Sequence, residues 1–120
     1  MLATTAAALL LGACARDEPS VSTASSGSGR GATIAQSAGC TSCHGGSFQG
    51  AVGPGWVGLA GSDVELADGS VVTADDAYLF ESIRDPAAKT VAGFSVQMPR
   101  NSLSDDEIRE IVAFIQSLAN

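Results

Sequence analysis

Cys40-Thr41-Ser42-Cys43-His44 is the stretch of this 120-residue chain in which thiols and an imidazole stand at a fixed short spacing. Two thiols separated by two residues can form thioethers with the two vinyl groups of haem, while the histidine that follows reaches the iron from one side. Two other chemistries share part of the pattern. A redox-active dithiol needs a βαβ setting, which the hydrophobic pattern here does not provide. Zinc needs four ligands, and beyond Cys40, Cys43 and His44 only a carboxylate or the distant Cys14 could complete the set. The motif therefore predicts one covalently attached haem c per chain, held by Cys40 and Cys43, with His44 on the iron.

A second axial ligand follows by elimination. The chain has one histidine and two methionines; with Met1 assigned to a leader, Met98 is the remaining side chain of the usual axial types. A lone methionine is by default a core filler. Met98, however, is followed by Pro99, whose fixed φ and missing N–H favour a loop that can project the thioether at a flat cofactor. The alternative is an open or water-bound iron. Upstream, Gly53-Pro54-Gly55-Trp56 offers the Pro54 carbonyl as an acceptor for the Nδ1–H of His44, a contact that orients a ligating imidazole and raises its basicity; the competing reading is a plain turn. Trp56 is expected to wall the haem pocket rather than relay electrons, with Leu59 and Phe94 also lining it.

These groups must be positioned by a small and thinly filled body. Hydrophobic residues make up 45% of the chain but aromatic ones only 5%, and there are 14 glycines. A core of this kind often depends on a bound group for stability. Six Lys and Arg against 13 Asp and Glu give a net charge of −7. That charge repels phosphate backbones and anionic lipid surfaces, so no nucleic-acid partner is expected.

Three regions are expected. Residues 1–13 (MLATTAAALLLGA) are uncharged and shorter than the ~20 apolar residues that cross a bilayer, and read as a signal peptide. They end in Leu11-Gly12-Ala13-Cys14, similar to the bacterial lipobox, so Cys14 is the expected lipidation site, although no Lys or Arg precedes the apolar run. The alternative is an ordinary signal peptide with an incidental cysteine. Residues 15–30, rich in Ser, Gly, Ala and Thr, read as a flexible tether, and residues 31–120 as the folded domain.

Within that domain Ser104 and Glu107 form a capping-box pattern, opening a helix whose Ile108, Ile111, Val112, Ile115 and Leu118 make one apolar stripe, widened by Phe114. A second helix is expected over residues 74–84, capped by Thr73 and ended before Pro86. A shorter one, over residues 32–39, carries Ile34 as its large apolar residue. Apolar residues on both sides of Asp68-Gly69 predict a β-hairpin with a tight two-residue turn.

These features resemble class I cytochromes c, and more closely the cytochrome c domain at the end of subunit II of some bacterial haem-copper (caa3-type) oxidases. The similarity spans residues 31–120. It rests on the haem motif, on Leu66-Ala67-Asp68-Gly69-Ser70 before Thr73-Ala74-Asp75, and on Glu81-Ser82-Ile83 with Asp85-Pro86. It implies a mainly α fold, three to five helices around one haem with a small hairpin insertion, with the haem ligated by Cys40, Cys43, His44 and Met98 and Pro54 supporting His44. The family usually has an aromatic residue five positions before the first cysteine, to pack with Gly31 against an aromatic of the last helix, here Phe114. This chain has Ala35 there.

The function implied is single-electron transfer between membrane complexes, not catalysis. The expected protein is a free-standing monohaem cytochrome held by a lipid anchor on the periplasmic or extracytoplasmic face of the cell membrane. Its partners would be a respiratory electron donor and a terminal oxidase. A fixed haem-bearing subunit of an oxidase or dehydrogenase is the alternative. A haem enzyme or gas sensor would need an open iron.

Overall fold

The computed structural model describes residues 23–119. The expected leader, Cys14 and residues 15–22 of the expected tether lie outside the described residues. Among those described, the order is α1 (Thr23–Ser37), α2 (Thr41–His44), β1 (Asp63–Glu65), β2 (Val71–Thr73), α3 (Asp76–Arg84) and α4 (Asp105–Ser117). This is the mainly helical architecture with one small antiparallel sheet that the sequence implied.

The last helix forms for the reason its sequence announces. The Ser104 hydroxyl accepts from the backbone N–H of Glu107 while the Glu107 carboxylate accepts from the backbone N–H of Ser104, closing the capping box. Ile108, Ile111, Val112 and Ile115 are all buried on one face. α1 and α3 both pack against α4.

α1 corrects the expectation at its N-terminal side. It begins at Thr23 rather than near residue 32, so residues 23–30, assigned to the tether by composition, continue the helix. Composition reports only what the segment can bury alone, whereas the packing here uses absence of side chain. A Cβ built on Gly31 would stand 2.0 Å from the Glu110 carbonyl oxygen and 2.7 Å from Phe114 Cβ. Glycine is thus required where α1 crosses α4, and tertiary contact rather than propensity sustains the helix. The helix ends at Ser37, two residues short of the expected limit, and Gly39 at φ 80° turns the chain into the short α2.

α3 starts two residues later than expected. Thr73 is the last residue of β2, and the cap is Asp75, whose carboxylate accepts from the Tyr78 N–H at 2.8 Å. Aspartate is the stronger N-cap of the two, and its charge suits the helix dipole. The hairpin exists, with Asp63 opposite Thr73, Val64 opposite Val72 and Glu65 opposite Val71. Its turn is not the expected two-residue one. Leu66 N–H donates to the Ser70 carbonyl at 2.8 Å, leaving three residues, 67–69, in the loop. Gly69 takes φ 84° and Asp68 accepts from both the N–H and hydroxyl of Ser70, so the glycine closes a longer loop. Residues 90–92 run beside the hairpin through a Leu66–Val91 bridge and an Ala92 N–H to Glu65 carbonyl bond. No helix among the described residues is long and apolar enough to cross a membrane.

Candidate functional site

α2 delivers the thiol pair and the imidazole. Its N-cap is Cys40, and Gly45 ends it at φ 91°, so Cys40, Cys43 and His44 occupy one helical turn. Both cysteines are half-buried and form no disulfide. Burial pushes the Cys40 thiol above its ordinary pKa, a rise opposed by a hydrogen bond from its own backbone and reinforced by Cys43.

His44 is buried and directed. Its Nδ1 lies 2.7 Å from the Pro54 carbonyl oxygen, so with Nδ1–H donating, Nε2 is the nitrogen left to bind a metal. The loop that brings Pro54 there is tied on both sides: Gly53 N–H donates to the Cys43 carbonyl at 2.9 Å, and Gly50 N–H to the His44 carbonyl at 2.8 Å. The plain-turn reading therefore describes only part of what residues 53–55 do.

His44 opens onto a cleft of two lobes that share Cys43, His44, Trp56, Ile83, Met98 and Pro99. Cys40 borders the smaller lobe. Pro54, Leu59 and Phe94 border the larger, together with Val64, Leu79 and Val91 from the hairpin, α3 and the segment after it. Each residue expected at the site thus borders the same space, with the sole exception of Cys14, which lies outside the described residues.

Met98 sits in irregular backbone between Phe94 and Asn101, as Pro99 suggests. Two side-chain amides brace that loop on α3 and its C-terminal end: Gln97 Nε2 donates to the Pro86 carbonyl at 3.0 Å, and Asn101 Nδ2 to the Ile83 carbonyl at 2.7 Å. Arg84 adds a third tie, from Nη1 to the Leu103 carbonyl at 2.9 Å.

Two residues of the site carried no signal in the sequence reading. Phe48 stacks on Trp56 and meets Phe114 edge-on, with centroid distances of 4.6 and 5.1 Å. The aromatic missing at Ala35 is thereby supplied from a loop. Ser82 borders the larger lobe, and its buried Oγ has no hydrogen-bond partner among the described residues.

The arrangement fits a flat apolar cofactor attached through two thiols. The walls are largely aliphatic and aromatic, and Cys40, Cys43, His44 and Met98 all border the cleft. It does not fit zinc equally well, since no three His, Cys, Asp or Glu side chains gather as a metal-holding group among the described residues.

Four ion pairs form among the described residues. Lys89 pairs with Glu81 and Arg100 Nη2 with Asp85, the latter at 3.4 Å. The two bases that flank Met98 in sequence are thus each held by an acid of α3 or its C-cap. Asp63, Glu65 and Asp68 on the hairpin are exposed and make no ion pair among the described residues.

A family model described as Cytochrome c matches residues 28–119. No curated protein matches the chain.

Proposed function

The chain belongs to the cytochrome c family, and from that premise we propose that it is a lipid-anchored carrier that passes single electrons along a respiratory chain to a terminal oxidase. Membership means that the domain binds haem c covalently, and that its class of activity is electron carriage. Haem c supplies a one-electron couple at its iron. The residues of this chain do the rest.

In this reading Cys40 and Cys43 would hold the haem through thioethers, and His44 and Met98 would bind its iron. The observation that carries it is the shared cleft, onto which the imidazole held by Pro54 and the thioether of a braced loop both open. Were His44 and Met98 both to bind the iron, a substrate would find no open position there, which favours carriage over catalysis or gas sensing. Thioether ligation favours reduced iron and so a relatively high potential, suited to an oxidase donor. The similarity of residues 66–75 and 81–86 to the cytochrome domain of oxidase subunit II supports the same acceptor.

The anchor rests on Leu11-Gly12-Ala13-Cys14. A lipidated Cys14 with a diacylglyceride and an N-acyl chain exceeds the two-chain minimum for stable attachment. The domain would then work at the extracytoplasmic face of the cell membrane. Exposed Val52 and Val96 border the cleft, an apolar rim suited to brief contact with a partner, while the hairpin acids steer a basic surface toward it.

The test is the native protein with its mass and visible spectrum, beside a Cys14→Ser variant. A mass carrying one haem and three acyl chains, a far-red sulfur-to-iron band, and release of red protein by Cys14→Ser are expected. Membrane retention of that variant after a high-salt wash would overturn the anchor. Co-purification with a complex in fixed ratio in mild detergent would make the domain a subunit rather than a shuttle.

A further inference from the structure

Charge is confined to one part of this fold. Residues 31–62 and 111–119 contain no Asp, Glu, Lys or Arg, whereas residues 63–110 hold eleven of the 13 acids and four of the six bases of the chain. Far apart in sequence, the two charge-free stretches meet in space. Phe48 lies edge-on against Phe114, the Gly58 N–H donates to the Leu118 carbonyl at 3.0 Å, and a Cβ built on Gly31 would stand 2.7 Å from that of Phe114. Together they form one face, which includes the loop that holds His44 and exposes Gln49, Ala51, Val57 and Ser117. Glu110 beside Gly27 and Asp76 held by Gln116 mark its edges. Arg30, the one charged side chain among residues 23–62, is near enough to Glu107 to help lower its pKa, and so belongs with the charged part.

Net acidity pushes the domain away from anionic headgroups, while the anchor proposed at Cys14 holds it beside them. α1 begins at Thr23, so residues 15–22 alone separate that cysteine from the helix, and eight residues reach at most about 29 Å. A domain held so close cannot leave the surface; it can turn. Its orientations differ in energy because charges near a membrane are felt within a screening length of about 10 Å at ~0.1 M salt. With the hairpin turned down, exposed Asp63, Glu65 and Asp68 enter that layer and meet like charge. With the charge-free face down, no acid of that face does.

We propose that the face built from residues 31–62 and 111–119 is the one the domain turns toward an anionic bilayer surface, with the hairpin acids directed away from it; this rests on the anchor at Cys14. Like-charge repulsion selects the orientation, and no contact with a particular lipid is required. A partner with a basic surface then meets the hairpin acids free of competition from the membrane.

The experiment uses the haem-loaded, lipidated protein on vesicles of phosphatidylglycerol mixed with phosphatidylcholine, and on phosphatidylcholine alone. A nitroxide is placed at Val57→Cys, exposed on the charge-free face, or at Ala67→Cys, exposed in the hairpin loop, and its relaxation by nickel chelated on a lipid headgroup is measured. On the anionic vesicles the Val57→Cys label is expected to relax roughly threefold more strongly than the Ala67→Cys label, and the ratio to fall toward one at high salt or on phosphatidylcholine alone. Gln49→Glu with Ala51→Glu, which adds two acids to the face, is expected to remove the bias at an unchanged visible spectrum. Equal relaxation of the two labels on anionic vesicles would overturn the inference, as would a ratio indifferent to both salt and the added acids. Failure of the parent protein to bind vesicles any better than Cys14→Ser would overturn the anchor, and this orientation with it.

Discussion

Phe48 and Trp56 stack with centroids 4.6 Å apart and planes 14° from parallel, and the backbone N–H of Trp56 donates to the Phe48 carbonyl at 2.8 Å. Trp56 in turn lies against the ring of His44, 5.0 Å between centroids. The imidazole is therefore fixed by a carbonyl at one nitrogen and by an indole at its side. Phe48 holds this stack from a left-handed backbone, φ 57°, the one non-glycine in that region among the described residues. Such a conformation costs about 1–3 kcal/mol, and a nearly fully buried ring offsets it.

That balance can be dissected. Phe48→Ala should destabilise the holoprotein by about 3–5 kcal/mol, the usual range for deleting a buried phenyl ring. Phe48→Gly removes the same ring but relieves the backbone, so it should be the more stable of the two variants by about 1 kcal/mol. Denaturant midpoints and slopes of both variants provide the comparison, and a glycine variant no better than the alanine one would show that the backbone there is unstrained.

Gly31 should tolerate no side chain. A methyl group there meets the backbone carbonyl of Glu110, which cannot swing aside as a flexible side chain could. Gly31→Ala should cost about 1–3 kcal/mol or more through overpacking, despite alanine's better helix propensity. Gly29→Ala is the control: nothing lies within 4 Å of its Cβ position, so it should be neutral or slightly stabilising. Thermal unfolding of the two holoproteins separates them.

Met98→Ala should keep the covalent haem and lose the far-red band. Its potential should fall, and the iron should gain affinity for carbon monoxide or cyanide, because the chain has no second histidine and its other methionine is Met1. Visible spectroscopy during ligand titration reports all of this. An unchanged spectrum would mean that another residue occupies the position.

Glu107 makes stability pH-dependent at the acid end. The Ser104 backbone N–H, then the Ser104 hydroxyl, hold its carboxyl below the ordinary value of 4.5. A carboxylate whose pKa is lower folded than unfolded contributes its stability above the unfolded value, and that contribution is lost as pH falls through the folded one. Stability should therefore decline on acidification below about pH 4.5, and Glu107→Gln should remove part of that slope while leaving the capping geometry in place. Denaturant titrations at pH 3 to 7 measure the difference.

Neutralising Asp63, Glu65 and Asp68 should slow second-order electron transfer to an isolated oxidase at low salt and flatten its ionic-strength dependence. These acids stand on the hairpin apart from the described ion pairs, so the potential should hardly change. Stopped-flow oxidation across a salt series is the measurement. Salt-independent rates for both proteins would leave the acids with a role in solubility alone.

The haem motif, the Met98-Pro99 step, the carbonyl for His44, the capping box of α4 and its apolar stripe were all legible in the sequence, because each depends on residues close together in the chain and on the chemistry of single side chains. Asp75 displaced Thr73 as a cap, and the hairpin turn took three residues instead of two, since neighbouring candidates differ by less than the packing energy that chooses between them. Other features were decided only by tertiary structure. Residues 23–30 have a tether's composition and fold as helix because Gly31 lets α1 lie on the backbone of α4. Phe48 meets Phe114 from a position no periodicity marks, and the cleft itself is formed by segments far apart in the chain. Local pattern specifies which groups can do chemistry; close packing of distant segments determines which of them meet.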